Sequence, residues 1–225
     1  MKHSEFVATA TRLMAAREPF LVVGPPGSGK TEGAIAAAEI WLGLRKLGDL
    51  SQVAGVRAGT TLVHETENGR ILLCHPTIQE EVDIRGLPGH WIDNKGKRRA
   101  EFTPFGFFEA ITAPIGPPTA VIIDDFGNAR LSVQAAWMQP LQQREIEEQR
   151  IRDNVTFVVL TNSREHRTGV QGLINAFADR CICIITLEYD ANQTALWLLA
   201  NNYSPLLSAF IRWKPDEVRF DAKNE

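Results

Sequence analysis

Gly24-Pro25-Pro26-Gly27-Ser28-Gly29-Lys30-Thr31 constrains this chain more than any other stretch. It follows the apolar run Phe20-Leu21-Val22-Val23 and opens into the alanine-rich segment Ala34 to Ala38, which reads as strand, glycine turn and helix. Glycine, four residues, then Gly-Lys-Thr is the spacing of a phosphate-binding loop (Walker A). Glycines let successive backbone N–H groups turn inward around phosphate oxygens, and the helix N-terminus adds partial positive charge. Gly24, Pro25, Pro26, Gly27, Ser28, Gly29, Lys30 and Thr31 are the expected nucleotide-binding residues. Lys30 is expected to reach the β- and γ-phosphates of ATP, and the Thr31 hydroxyl to ligate Mg²⁺. A chance glycine turn before a helix is the bland alternative. Strand, loop, lysine and threonine together argue against it.

The rest of the composition narrows the setting. A chain of 225 residues can bury a full core and suits one domain with a small appendage. A net charge of −3 gives no global signature of nucleic-acid binding, so any such contact needs a local patch. The three cysteines, Cys74, Cys181 and Cys183, have no metal-site spacing and form no disulfide framework. Cys181 and Cys183 read as small buried thiols in a strand, and a reducing cytoplasm fits. Met1 to Glu5 leads into an amphipathic helix rather than a signal peptide. No apolar run has the length of a membrane span.

In chain order, Ser4 is expected to cap a helix through Arg17, with Phe6, Ala10, Leu13 and Met14 on one face. The loop helix should run to about Leu47, closed by Gly48. Asp49 to Gly69 reads as a surface excursion with a weak strand at Thr60 to His64. Arg70 to His75 is a strand, and Thr77 to Ile84 a short helix. A hairpin should form from His90 to Asp93 and Ala100 to Thr103 around the turn Asn94-Lys95-Gly96-Lys97. Helical pattern resumes at Phe105 to Ile111. Ala120 to Asp125 is a strand, Ser132 to Arg150 a helix interrupted at Pro140, and Asn154 to Thr161 a β-branched strand ending at Asn162. Gly172 to Arg180 reads as helix and Cys181 to Leu187 as the last core strand. Two tail segments, Thr194 to Asn201 and Pro205 to Trp213, are helical. Strands alternating with helices predict an α/β fold, a five-stranded parallel sheet with helices on both faces. Residues 1–187 would form the nucleotide-binding domain and 188–225 a short helical lid.

Val121-Ile122-Ile123-Asp124-Asp125 supplies the second half of the chemistry. A parallel strand buried on both faces delivers its terminal acids to the sheet edge where ligands bind. Asp124 is the expected Mg²⁺ ligand, and Asp125 the group that orients and deprotonates an attacking water. A solvated acidic turn is the bland alternative.

Phosphate loop, acidic strand and a β-strand ending in Thr161-Asn162 resemble the AAA+ ATPases, whose polar residue at that strand end is called sensor 1. The hairpin between Asp83 and Phe105, the helix Val133 to Met138 and the segment Gly169 to Arg180 resemble the MoxR-like, dynein-related branch. The likeness spans roughly Phe20 to Leu187. It implies that Asn162 positions the water and that Arg180 reaches into the neighbouring subunit's site as an arginine finger, with Arg164 and Arg167 as rivals. It further implies a homo-oligomeric ring, a hexamer being one candidate count, that remodels a protein substrate or adaptor. The family's Asp-Glu pair is Asp124-Asp125 here, one methylene shorter. Its Ser-Pro-Arg sensor 2 is Ser204-Pro205-Leu206, with Arg212 as a substitute. His75, ending a strand beside the acids, reads as structural in preference to a switch.

Lys95, Lys97, Arg98 and Arg99 cluster at the hairpin tip beside Trp91, which is expected to be exposed. Two further readings of function stand beside a protein-remodelling ATPase. One is a nucleic-acid motor whose Lys95 to Arg99 hairpin tracks a phosphate backbone. The other, suggested by Asp125 and the short tail, is a weakly hydrolysing, nucleotide-gated interaction module. A small-molecule kinase is disfavoured, because no acceptor-pocket signature accompanies the loop.

Overall fold

The computed structural model describes residues 1–44, 59–163, 177–179 and 181–217. Helix α1 (His3–Ala16) precedes strand β1 (Phe20–Gly24), the loop and helix α2 (Lys30–Leu42). An antiparallel pair follows, β2 (Thr60–Thr66) with β3 (Gly69–Cys74). Next come α3 (Glu81–Arg85), the hairpin β4 (Leu87–Ile92) and β5 (Arg98–Thr103), and α4 (Gly106–Thr112). Strand β6 (Thr119–Ile123) leads to α5 (Leu131–Gln143) and a small hairpin, β7 (Glu145–Ile146) with β8 (Gln149–Arg150). Strand β9 (Val155–Asn162), β10 (Ile184–Thr186), α6 (Ala191–Ala200) and α7 (Pro205–Trp213) complete the described elements.

The central sheet runs in the order β10-β1-β9-β6-β3-β2. The first five are mutually parallel, as the alternation of strands and helices predicts, and β2 adds an antiparallel edge. Successive residues of each inner strand face opposite layers, which is why these strands read as unbroken apolar runs. In β6, Val121 and Ile123 pack with Phe108, Trp137 and Phe157 on the α4–α5 side. Ala120 and Ile122 pack with Phe6, Met14, Ala34 and Ala38 on the α1–α2 side. The result is a three-layer α/β/α core.

Several boundaries differ from expectation, each for a local reason. Ser4 does not cap α1. Lys2 holds the cap position, and Glu5 Oε2 accepts from its backbone N–H at 3.2 Å. Helix α2 stops at Leu42, because Gly43 takes a left-handed φ of 64° and its N–H closes on Glu39 and Ile40. Leu47 and Gly48 lie outside the described residues. Thr77 to Ile84 divides into a 3₁₀ turn at Pro76–Ile78 and α3. Helix α5 passes through Pro140 and ends at Arg144, whose φ of 56° is left-handed, so Glu145 to Arg150 form a hairpin instead of more helix. At the sheet edge only Ile184–Thr186 pairs as strand. Cys181 and Cys183 precede it and are half-buried, although burial, followed by the nearness of Cys183, still pushes the Cys181 thiol up to about 12. Of the expected helix Gly172 to Arg180, only 177–179 are described, with Phe177 buried against Phe126. Arg164, Arg167 and Arg180 lie outside the described residues.

Candidate functional site

The site lies where the parallel strands end. Strand β9 sits between β1 and β6, so register alone places Asn162 beside Gly24 and close to the acids that follow Ile123. The carboxyl ends of a doubly wound sheet are where its crossovers leave a crevice for ligands.

The loop from Gly24 to Thr31 bends around that crevice. Gly27 and Gly29 hold φ values of 73° and 80°, which a side chain would disfavour, and this lets the loop turn its N–H groups inward. Lys30, buried at the first turn of α2, donates from Nζ to the carbonyls of Gly24 at 3.1 Å and Pro25 at 2.9 Å, and to Asn162 Oδ1 at 3.0 Å. Burial lowers the pKa of its ammonium, against an upward pull from Asp124 and then Asp125. Ser28 Oγ is buried with no hydrogen-bond partner among the described residues. A buried hydroxyl in that state wants a ligand oxygen.

Across the crevice, the Thr31 hydroxyl donates to Asp124 Oδ2 at 2.8 Å. The two expected metal ligands are thus in contact. A hydroxyl and a carboxylate side by side next to a phosphate cradle suit Mg²⁺, which keeps several waters and takes few protein oxygens. Among the described residues no cluster of three or more His, Cys, Asp or Glu side chains could hold a metal by itself.

Asp125 occupies a left-handed conformation (φ 50°, ψ 34°), and its N–H donates to Asp124 Oδ1 at 2.9 Å. This turn swings the Asp125 carboxylate towards β9, where Asn162 Nδ2 donates to Oδ1 at 3.3 Å. The Asp125 carboxyl lies above the ordinary carboxylate range, first because the crevice strips it of water and second because Asp124 is close. Lys30, His75 and the Asn162 hydrogen bond pull it back. A carboxylate raised in this way is a better proton acceptor than a free one.

The pocket of about 450 Å³ over the loop is completed by residues with no sequence motif. His3 enters from α1, Glu188 and Asp190 from the segment leading into α6, and Gln193, Thr194, Trp197 and Leu198 from α6 itself. The His3 N–H donates to Gln193 Oε1 at 3.1 Å, tying α1 to α6 beside the loop. Neither segment carries a short-range signal. The expectation of a helical lid over residues 188–225 pointed to α6, and nothing pointed to His3. Asp190 caps α6 by accepting from the N–H groups of Asn192 and Gln193, which fixes the helix that bears Trp197. Ser204-Pro205 opens α7, whose Arg212 is not among the pocket residues.

No family model matches this sequence, and no curated protein matches it. Among solved structures, the chain is similar to the RuvB Holliday junction branch migration motor of Thermotoga maritima. Identity is 15%, the TM-score is 0.46, and the match covers 88% of this chain and 50% of that one. It is similar to PCH-2 of C. elegans at 15% identity and a TM-score of 0.43, covering 87% and 46%. It is similar to NtrX of Brucella abortus at 12% identity and a TM-score of 0.47, covering 88% and 38%. The chain spans half or less of the length of each of these structures. At such scores the likenesses carry no functional weight, which lies instead on the side chains of the pocket.

Proposed function

We propose that this protein is an AAA+ ATPase that binds MgATP at the crevice and hydrolyses it to ADP and phosphate. One observation carries the reading. Asn162 bridges Lys30 of the phosphate loop and Asp125 of the acidic strand, so three residues distant in sequence form one hydrogen-bonded line. That line suits a reaction in which Asp125 takes a proton from water as the water oxygen bonds to the γ-phosphorus. The bond from γ-phosphorus to the bridging oxygen then breaks, and Lys30 meets the charge that builds on the phosphate oxygens. Thr31 and Asp124 would hold Mg²⁺, which neutralises phosphate charge. Asn162 orients rather than transfers.

The fuller reading takes the protein as a ring-forming motor of the MoxR-like type. Arg180 reaches from one subunit into the next one's nucleotide site, and residues 188–225 act as the lid. The family resemblance favours a protein substrate or adaptor. A second reading, a nucleic-acid motor, is favoured by the basic hairpin β4–β5. Steady-state phosphate release with MgATP, alongside mass measurement with and without a non-hydrolysable analogue, tests the proposal. Mg²⁺-dependent turnover with nucleotide-driven assembly is expected. Binding of ATP with neither turnover nor assembly would leave only the gated interaction module.

A further inference from the structure

The hairpin β4–β5 has no core. Leu87, Trp91 and Ile92 are 51%, 49% and 67% exposed, and nearly every residue of both strands faces solvent. A two-stranded hairpin is marginal by itself in water, so its anchoring has to come from elsewhere. Its base is pinned to the body. The Arg85 guanidinium lies over the Phe102 ring at 5.6 Å, and Gln149 Nε2 donates to the Phe102 carbonyl at 3.3 Å. Its tip is fixed by Asp93. Oδ1 accepts from the N–H groups of Lys95 and Lys97, both at 2.9 Å, and Oδ2 from Arg99 Nε at 3.0 Å. Between base and tip nearly every residue of the ribbon faces solvent, and about half of the Trp91 side chain is open to it.

Charge and register say what such a ribbon fits. Lys95, Lys97 and Arg98 are exposed and make no ion pair among the described residues, while Arg99 pairs with Asp93. This concentration of cations sits on a chain whose net charge is −3, so it is local rather than a bulk property. Cross-strand pairing sets Trp91 opposite Arg99 and Ile92 opposite Arg98. Directly opposed residues share a face and successive residues alternate, so Trp91 lies beside the Arg99 guanidinium on one face and Ile92 beside Arg98 on the other. Nearly every residue of the ribbon faces solvent, so it offers no walled groove for the side chains of an acidic peptide. An exposed indole next to a cationic tip does suit a polyanion with flat faces to stack.

We propose that this hairpin grips a single-stranded nucleic acid draped over its tip, with Lys95, Lys97 and Arg98 on phosphates and Trp91, on the face opposite Arg98, stacked on a base. The grip deepens the second reading above and rests on it for its purpose, but binding itself needs no ATP.

The test is fluorescence anisotropy of labelled 20-nucleotide oligo(dT) and oligo(rU), titrated with the full chain without nucleotide at several salt concentrations. The triple variant Lys95→Ala, Lys97→Ala, Arg98→Ala should bind at least about tenfold more weakly at low salt. It should also flatten the slope of log K against log salt by about 2, as losing three single-strand phosphate contacts requires. Trp91→Ala should lose about tenfold, and Trp91→Phe should keep most of the affinity because a stacking face remains. Three results overturn the grip: no binding of either oligonucleotide at low salt, equal binding by the triple variant, or a polyglutamate competitor that displaces the strand while Trp91→Ala changes nothing. The last would assign the tip to acidic polypeptides. ATP binding is measured on every variant. A chain that binds ATP but no strand loses the grip and keeps the nucleotide reading, and a chain that binds the strand but no ATP does the reverse. If the triple variant misfolds, the single charge reversal Lys97→Glu takes its place: weakened binding supports the grip, and unchanged binding overturns it.

Discussion

Lys30 Nζ lies 3.0 Å from Asn162 Oδ1 and donates a hydrogen bond to it. The same ammonium donates to two carbonyls of its own loop. An arriving phosphate has to replace some of those contacts, and any shift of Lys30 is felt at Asn162 and hence at Asp125. Binding at one end of the crevice and water positioning at the other are mechanically joined.

Lys30→Ala is expected to bind ATP about tenfold to a hundredfold more weakly, since a hydrogen bond to a charged group is worth roughly 1.5–3 kcal/mol. Calorimetric titration of the folded variant checks this. Undiminished affinity would mean that the loop is not the phosphate site.

Asp125→Asn should bind ATP normally and hydrolyse it at least about a hundredfold more slowly, the usual range for losing a general base. The left-handed φ of 50° makes the comparison clean, because asparagine tolerates that conformation as well as aspartate. It also bears on why this position carries Asp rather than the longer Glu. Asp125→Glu places a residue less tolerant of left-handed backbone at a turn, so a lower melting temperature is expected alongside any change in turnover. Faster hydrolysis in Asp125→Glu would show that the natural side chain holds the rate down.

The skeleton of this site was legible because each part depends on local chemistry. Gly27 and Gly29 need positive φ, Val121 to Ile123 need burial on both faces, and the acids need the strand end. Five parallel strands followed from the same runs. What lay beyond sequence was the choice between competing local signals, and effects decided by tertiary partners. Gly43 ends α2 before Gly48 can, β10 shrinks because an edge strand pairs on one side only, and His3 reaches the pocket only because α1 packs on α2. The Lys30 to Asn162 bond joins residues 132 positions apart, and no pattern in either segment announces it.

The raised carboxyl of Asp125 sets the pH dependence. Turnover requires the ionised form, so the acid limb of kcat/KM, which reports the free enzyme, should be displaced upward from that of a free carboxylate. Removing the Asn162 donor takes away a bond to the ionised form, so Asn162→Ala should move that limb further up in pH, besides lowering the maximum. The sign for stability is opposite. The folded state binds this proton more tightly than the unfolded chain does, so ionisation of Asp125 costs stability at neutral pH, and the cost disappears on acidification. Apo Asp125→Asn should accordingly melt above wild type at neutral pH, with the gap closing as pH falls. An unmoved acid limb in Asn162→Ala would detach Asp125 from the base role.

Packing of α1 onto the loop helix gives a stability test. A Cβ at Gly33 would sit 2.6 Å from Phe6 Cε1 and 2.9 Å from His3 Nε2, within a layer where Phe6 is fully buried. Gly33→Ala therefore pushes α1 away from α2. Although alanine favours helix, overpacking of this kind costs about 1–3 kcal/mol, and denaturant unfolding should show a net loss. Because His3 lines the pocket, ATP affinity should fall with it. A stabilised Gly33→Ala with unchanged affinity would show that α1 yields freely.

The last prediction concerns sharing of the site between subunits. The resemblance assigns Arg180 to a neighbour's nucleotide, and Arg180 lies outside the described residues. The cationic side chain at the crevice is Lys30, and no arginine is among the described residues lining that pocket. Phosphoryl transfer gains about 10³-fold or more from an arginine that meets the phosphate charge. ATP should promote assembly, and specific activity should rise with protein concentration. Arg180→Ala should bind ATP yet hydrolyse it poorly. Mixing Arg180→Ala with Asp125→Asn should restore part of the activity, because in a head-to-tail ring some interfaces then pair an intact base with an intact arginine. Activity per subunit that stays flat on dilution, together with a mixture as inactive as its components, would place the whole reaction within one chain.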